Sequence, residues 1–98
     1  MNMTIPGQGK VIGFYGPDAQ SLVHMEECAE LIQAISKMRR NPNDEAYENL
    51  VEEAADVLVC IEQILEMYEI PDHHLQQVID QKCARQEARM DESLGRNP

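Results

Sequence analysis

The sequence predicts an all-α protein, on three observations. Apolar residues recur at helical spacing through three long stretches. The 98 residues include no Trp, one Phe and three Tyr, so the aromatic material that strands of a sandwich or barrel favour is scarce. Proline and asparagine punctuate the chain where each long stretch ends. A chain of this length makes one domain, and 43% apolar residues, mostly Leu, Ile, Val, Ala and Met, suffice for a helical core.

Residues 1–16 hold four of the five glycines (Gly7, Gly9, Gly13 and Gly16) and read as an irregular lead with a short extended piece at Val11-Ile12. Within it, Gly7-Gln8-Gly9-Lys10 lacks both the glycine spacing of a P-loop and the Ser or Thr that follows its Lys. A first helix is expected from Pro17, where proline loses no hydrogen bond and Asp18 meets the positive end of the helix dipole. Its apolar residues are Leu22, Met25, Ala29 and Ile32, with Val23, Leu31, Ile35 and Met38, and Lys37, Arg39 and Arg40 close its last turn. Asn41-Pro42-Asn43-Asp44 is a turn, with Asn43 or Asp44 as the next cap. A second helix is expected from about Glu45 to Glu69, stopped by Pro71. Asp72 should cap a third, from His73 to about Glu92, so that residues 17–92 form the helical domain and 93–98 a frayed tail. Short turns between long helices make antiparallel neighbours. Three helices with wide apolar arcs cannot cover one another in so small a chain. The expectation is therefore three main antiparallel helices per chain that complete a four-helix-bundle core by homo-oligomerisation, as a homodimer or homotetramer.

Eighteen acidic residues against eight Lys and Arg give a formal charge of −10, which opposes binding to a nucleic-acid polymer. No run of 18 apolar residues offers a membrane span, and the first residues lack the basic and apolar regions of a secretory signal. Three cysteines in no paired spacing argue against a disulfide framework. Cys28, Cys60 and Cys83 read as small packing residues. Together these features predict a reduced, cytoplasmic protein with no membrane partner.

The informative acids are those on the apolar side. At about 100° per residue from Leu22, Glu26 lies on the solvated face of the first helix, Glu27 falls inside the apolar arc and Glu30 at its margin. In the second helix Glu53 falls between Cys60 and Ile64, and Asp56 lies at the edge. Each helix thus carries an inward acid followed three residues later by another on the same side, close enough for two carboxylates to grip one ion. Burying carboxylates together is costly unless a cation sits among them, and all-oxygen ligands select Mg2+ or Mn2+. The competing reading is that these are edge residues of an acidic chain whose side chains reach water.

Glu26-Glu27-Cys28-Ala29-Glu30-Leu31 and Glu53-Ala54-Ala55-Asp56-Val57-Leu58, with 22 residues between Glu30 and Glu53, resemble the EExxE…ExxD signature of the all-α nucleoside triphosphate pyrophosphohydrolases, the MazG-like superfamily. The wider run, from Phe14-Tyr15-Gly16 to the third helix, is similar to the short MazG-like domains often carried by bacteriophages. The resemblance implies metal-dependent cleavage of a nucleoside triphosphate between its α and β phosphates, giving a monophosphate and pyrophosphate. It implies Mg2+, with Mn2+ as substitute, held by Glu27, Glu30, Glu53 and Asp56. Glu27 or Glu30 would accept the proton of the attacking water. Glu26 belongs to the written motif but supports the ligands or is merely solvated.

Triphosphate needs positive charge beside those acids. Lys82, Arg85 and Arg89 fall on one stripe of the third helix, and the resemblance implies a phosphate-binding role for Lys82 and Arg85. Ion pairing with Asp80, Glu87 or the second helix is the competing reading, and it leads for Arg89. His24 lies in the apolar arc near the acids, where it either orients a ligand or is a hydrogen-bonded core histidine. His73 and His74 are expected to face solvent and do not form the Glu-x-x-His pairs of di-iron bundles. Phe14 or Tyr15 could stack on a base. Two other functions compete with a (d)NTP pyrophosphohydrolase. One is the phosphoribosyl-ATP pyrophosphohydrolase of the same superfamily, which Glu52-Glu53-Ala54-Ala55-Asp56 also resembles. The other is a non-enzymatic helical dimerisation or adaptor module, whose acids are surface charge.

Overall fold

A computed structural model describes residues 1–95 as four α-helices, with no strand among the described residues: α1 (Gly9–Tyr15), α2 (Pro17–Arg40), α3 (Asp44–Met67) and α4 (Asp72–Ser93). They divide into two compact units, one from Met1 to Tyr68 and one from Glu69 onward. No helix is long and apolar enough to cross a membrane.

The first unit is an α2–α3 hairpin with α1 packed on both helices. Pro17 opens α2 at its first turn, Asp18 follows it, and Lys37, Arg39 and Arg40 lie in the last turn, each charge opposite in sign to the dipole end it occupies. The Asn43 side chain caps α3, its Oδ1 accepting from Ala46 N at 2.7 Å. Residues at alternating three- and four-residue spacing face the partner helix, in the manner of a coiled-coil stripe. On α2 these are Gln20, His24, Glu27, Leu31, Ala34 and Met38, all buried or half-buried. On α3 the matching set is Ala46, Leu50, Glu53, Val57, Cys60 and Ile64. The stripe is unusually polar. Its most buried members include Gln20 and His24 alongside Ala34, Ala46 and Cys60, and Gln63 beside it is as buried.

The wide apolar arc of α2 is split between two surroundings. One edge meets α3, while Leu22, Met25 and Ile32 on the other remain 60–69% exposed. Tyr47 and Val51 on α3, and Tyr68 just after it, are likewise exposed.

Five expectations need correction. The lead is not extended at Val11-Ile12 but helical from Gly9 to Tyr15, so residues 1–16 are not irregular throughout. Gly9 and Gly13 depress local helix propensity by about 1 kcal/mol each relative to Ala, and packing overrides them. Val11 and Ile12 are half-buried, and Gln8 N donates to Glu66 Oε2 at 2.8 Å just ahead of the first turn. α1 ends at Gly16, whose φ of +87° suits a residue without a Cβ. The second helix stops at Met67 rather than Glu69, because Glu69 takes a φ of +53° on the way into Pro71. Asp72 is the first residue of α4 and makes no side-chain cap. Pro71 holds the cap position, its carbonyl accepting from His74 N and Leu75 N. Of the three cysteines expected to pack, only Cys60 is buried, and Cys28 and Cys83 are exposed. In the second unit α4 runs to Ser93, one residue into the stretch expected to fray, and Leu94-Gly95 forms a turn. The remainder of that tail, 96–98, lies outside the described residues.

Candidate metal centre

Glu27 and Glu30 stand one turn apart on α2, and Glu53 faces them from α3. A carboxylate oxygen from each of the three lies within 4.8 Å of the other two. The i, i+3 spacing aims Glu27 and Glu30 to one side of α2, and the antiparallel hairpin brings Glu53 level with them. Glu27 and Glu53 are half-buried and Glu30 is exposed at the rim. The Oε2 atoms of Glu27 and Glu53 are fully buried and have no hydrogen-bond partner. Such an orphaned acceptor costs about 1–3 kcal/mol, more when charged. Two of them beside a third carboxylate fit a divalent cation, whose charge and coordination would satisfy all three.

The electrostatics report the same crowding. The Glu27 carboxyl is pushed up to about 7, first by burial, then by the charges of Glu30, Asp56 and Glu53. Glu53 is raised too, by burial and then by Glu30, with Asp56 and Glu52 adding to it. Burial pushes the Cys60 thiol up to about 11, with Glu27, Cys28 and Asp56 contributing. Asp56 is exposed and stands outside the tight group of three, but its charge acts on both Glu27 and Glu53. Glu26, by contrast, is exposed and absent from the group.

The basic stripe belongs to the second unit. Lys82, Arg85 and Arg89 are all exposed along α4, as are His73 and His74 near its start. His24 is buried on α2 with Nε2 2.8 Å from Gln63 Oε1. At the end of α1, Phe14 and Tyr15 form an exposed edge-to-face pair with ring centroids 4.8 Å apart.

Two features escaped sequence reasoning. One is the buried amide cluster around Gln63, whose only signal was the placement of Gln20 and Gln63 at inward positions of the helical repeat. The other is a cavity of about 670 Å³ at the closed end of the hairpin, one turn along α3 from Glu53. It is lined by Lys37, Arg40, Asn41, Glu48, Asn49 and Glu52 among others, a mixture of both charges and amides.

The described residues thus bring together, across an α-helical hairpin, a group of three carboxylates of the kind that can hold a metal ion. Residues 17–93 match the MazG nucleotide pyrophosphohydrolase domain, and the chain belongs to that family. No curated protein and no solved structure matches it.

Proposed function

We propose that this protein is a Mg2+-dependent pyrophosphohydrolase that converts a (d)NTP to the corresponding (d)NMP and pyrophosphate. The observation that carries this reading is the pair of buried, unpartnered oxygens of Glu27 and Glu53, gathered with Glu30 within 4.8 Å. Family membership supports the same chemistry. Glu27, Glu30 and Glu53 hold the cation, with Mn2+ as a substitute, and Asp56 completes the set from its exposed edge. When bound, the cation supplies charge neutralisation at the phosphate oxygens and a lowered pKa for the attacking water. Of the two α2 glutamates in that set, Glu30 is the exposed one and meets solvent water, so we assign it the proton acceptor. Glu27, its oxygen buried, serves as ligand. Lys82 and Arg85 bind the phosphates through charge-assisted hydrogen bonds. The cavity one turn from Glu53 is of a size for a nucleoside. Its lining of two cations, three carboxylates and amides suits the neutral base and sugar better than a polyphosphate. The working form is a homodimer or homotetramer that covers the exposed apolar faces of α2 and α3.

The test is pyrophosphate release from standard and modified NTPs and dNTPs, with Mg2+ and with EDTA. Metal-dependent release with a monophosphate product is the expected outcome. Silence across the panel, followed by turnover of phosphoribosyl-ATP, would transfer the assignment to that activity. Silence with both would leave a helical interaction module.

A further inference from the structure

The α2–α3 interface contains a second polar group, which the chemistry above does not use. Gln63 Oε1 receives Gln20 Nε2 at 3.0 Å and lies 2.8 Å from His24 Nε2. That oxygen is an acceptor, so His24 carries its proton on Nε2. Gln63 Nε2 donates in turn to Gln8 Oε1 at 3.1 Å, which ties the N-terminal lead to the same cluster. Gln20, His24 and Gln63 are each 6% exposed.

An apolar interface would close at least as well, because buried polar groups gain little net stability over hydrophobic replacements. Hydrogen bonds add direction. Leu31, Ala34, Leu50 and Val57 can shift against one another with small loss, whereas an oxygen shared by two donors fixes both where a helix sits and how it is rotated. One antiparallel register places Gln20 and His24 level with Gln63, Glu27 beside Asp56, and Glu30 beside Glu53. The Asn41-Pro42-Asn43 turn ties the helices at one end of that register, and the Gln63 oxygen ties them at the other. The carboxylates lie between, with Glu27 one turn from His24. At about 100° per residue, a small rotation of α2 would swing Glu27 away from its partners.

We propose that Gln63 is a positioning residue: by holding Gln20 and His24 it fixes the rotation and register of α2 against α3, and so sets how tightly Glu27, Glu30 and Glu53 grip a divalent cation. This rests on the metal site proposed above.

The test uses the full chain without nucleotide and reads two quantities: the Mn2+ dissociation constant, from the electron paramagnetic resonance of free Mn2+, and the amide ¹H–¹⁵N spectrum. The variant Gln20→Leu/His24→Leu/Gln63→Leu removes the cluster without stranding a buried donor. It should keep wild-type helicity, raise the Mn2+ Kd about tenfold, and broaden or double the α2 and α3 resonances. Gln63→Glu keeps the shared acceptor and should stay within about threefold of wild type. Wild-type affinity in the triple variant would overturn the proposal, as would a loss in Gln63→Glu equal to that of the triple variant. Should the triple variant unfold, Gln20→Leu leaves His24 paired and carries the same comparison, with an unchanged Kd counting against the proposal. Wild-type protein that binds no Mn2+ would refute the metal site itself. The effect of Gln63 on cation affinity falls with that site, and the spectrum then tests the register alone. A doubled set in the triple variant upholds the fixing of α2 against α3, and a single sharp set overturns that too.

Discussion

Glu27 and Glu53 face each other across the α2–α3 hairpin, each with a buried Oε2 that no donor reaches. Both occupy positions where the helical repeat calls for an apolar side chain. Two carboxylates placed there carry a desolvation cost that a bound cation would offset.

That gives the first prediction. Mg2+ or Mn2+ should raise the melting temperature, since a ligand that binds only the folded state stabilises it by RT ln(1 + [L]/Kd), about 2.7 kcal/mol at a hundredfold excess over Kd. Glu53→Gln should melt higher than wild type in EDTA, because it removes an inward charge, yet lose the metal-induced increment. Thermal melts of both proteins with EDTA and with Mg2+ measure this. A metal increment in Glu53→Gln equal to that of wild type would sink the assignment of Glu53 as a ligand.

The raised Glu27 carboxyl predicts a pH dependence of stability. Its folded value of about 7 lies above the ordinary 4.5, so the folded protein holds this proton more tightly than the unfolded chain does. The resulting stability is complete below pH 4.5 and is lost as pH rises through about 7. Glu53, raised for similar reasons, adds to the loss with the same sign. In EDTA the urea midpoint should therefore fall between pH 5 and pH 7.5. With saturating Mg2+ the trend should flatten or reverse, because metal binding competes with the proton. A midpoint that rises across this window in EDTA would contradict the crowded carboxylates.

Much of this was legible in the sequence, for local reasons. Pro17, Asn43 and Pro71 mark helix boundaries because their effect on the backbone is confined to a residue or two. The inward placement of Glu27 and Glu53 followed from helical periodicity alone. What escaped depends on contacts distant in sequence. α1 contains two glycines, and its helical state rests on packing against α2 and α3. Gln20 and Gln63 are polar residues on inward faces, and their meeting across 43 residues leaves no mark in local spacing. Cys28 was misplaced because the apolar arc of α2 is wider than the face that α3 covers, so an apolar position on the wheel need not be buried in one copy.

The basic stripe of α4 makes a separable prediction. If Lys82 and Arg85 bind the triphosphate, Lys82→Ala and Arg85→Ala should each raise KM several-fold or more. A lost charge-assisted hydrogen bond is worth about 1.5–3 kcal/mol. The Mn2+ Kd measured without nucleotide should not change. Arg89→Ala should have the smallest effect of the three. Steady-state kinetics together with direct metal titration check both halves, and unchanged KM in both of the first two variants would remove them from the site.

The last prediction concerns assembly. Leu22, Met25 and Ile32 line one side of α2 and stay more than half exposed, while Tyr47 and Val51 are exposed on α3 and Tyr68 just beyond it. A formal charge of −10 works against association in general, so only a specific and well-packed apolar contact would overcome it. Sedimentation equilibrium at moderate salt should give twice or four times the 11.2 kDa chain mass. Ile32→Asp should shift that equilibrium toward the single chain by placing a carboxylate inside the contact, and lower salt should deepen the shift because repulsion is less screened. Glu45→Gln, which changes charge on the opposite side of α3 from Tyr47 and Val51, should leave the mass unchanged. A wild-type protein that sediments as one chain at all concentrations would mean that the exposed faces of α2 and α3 serve something other than a second copy.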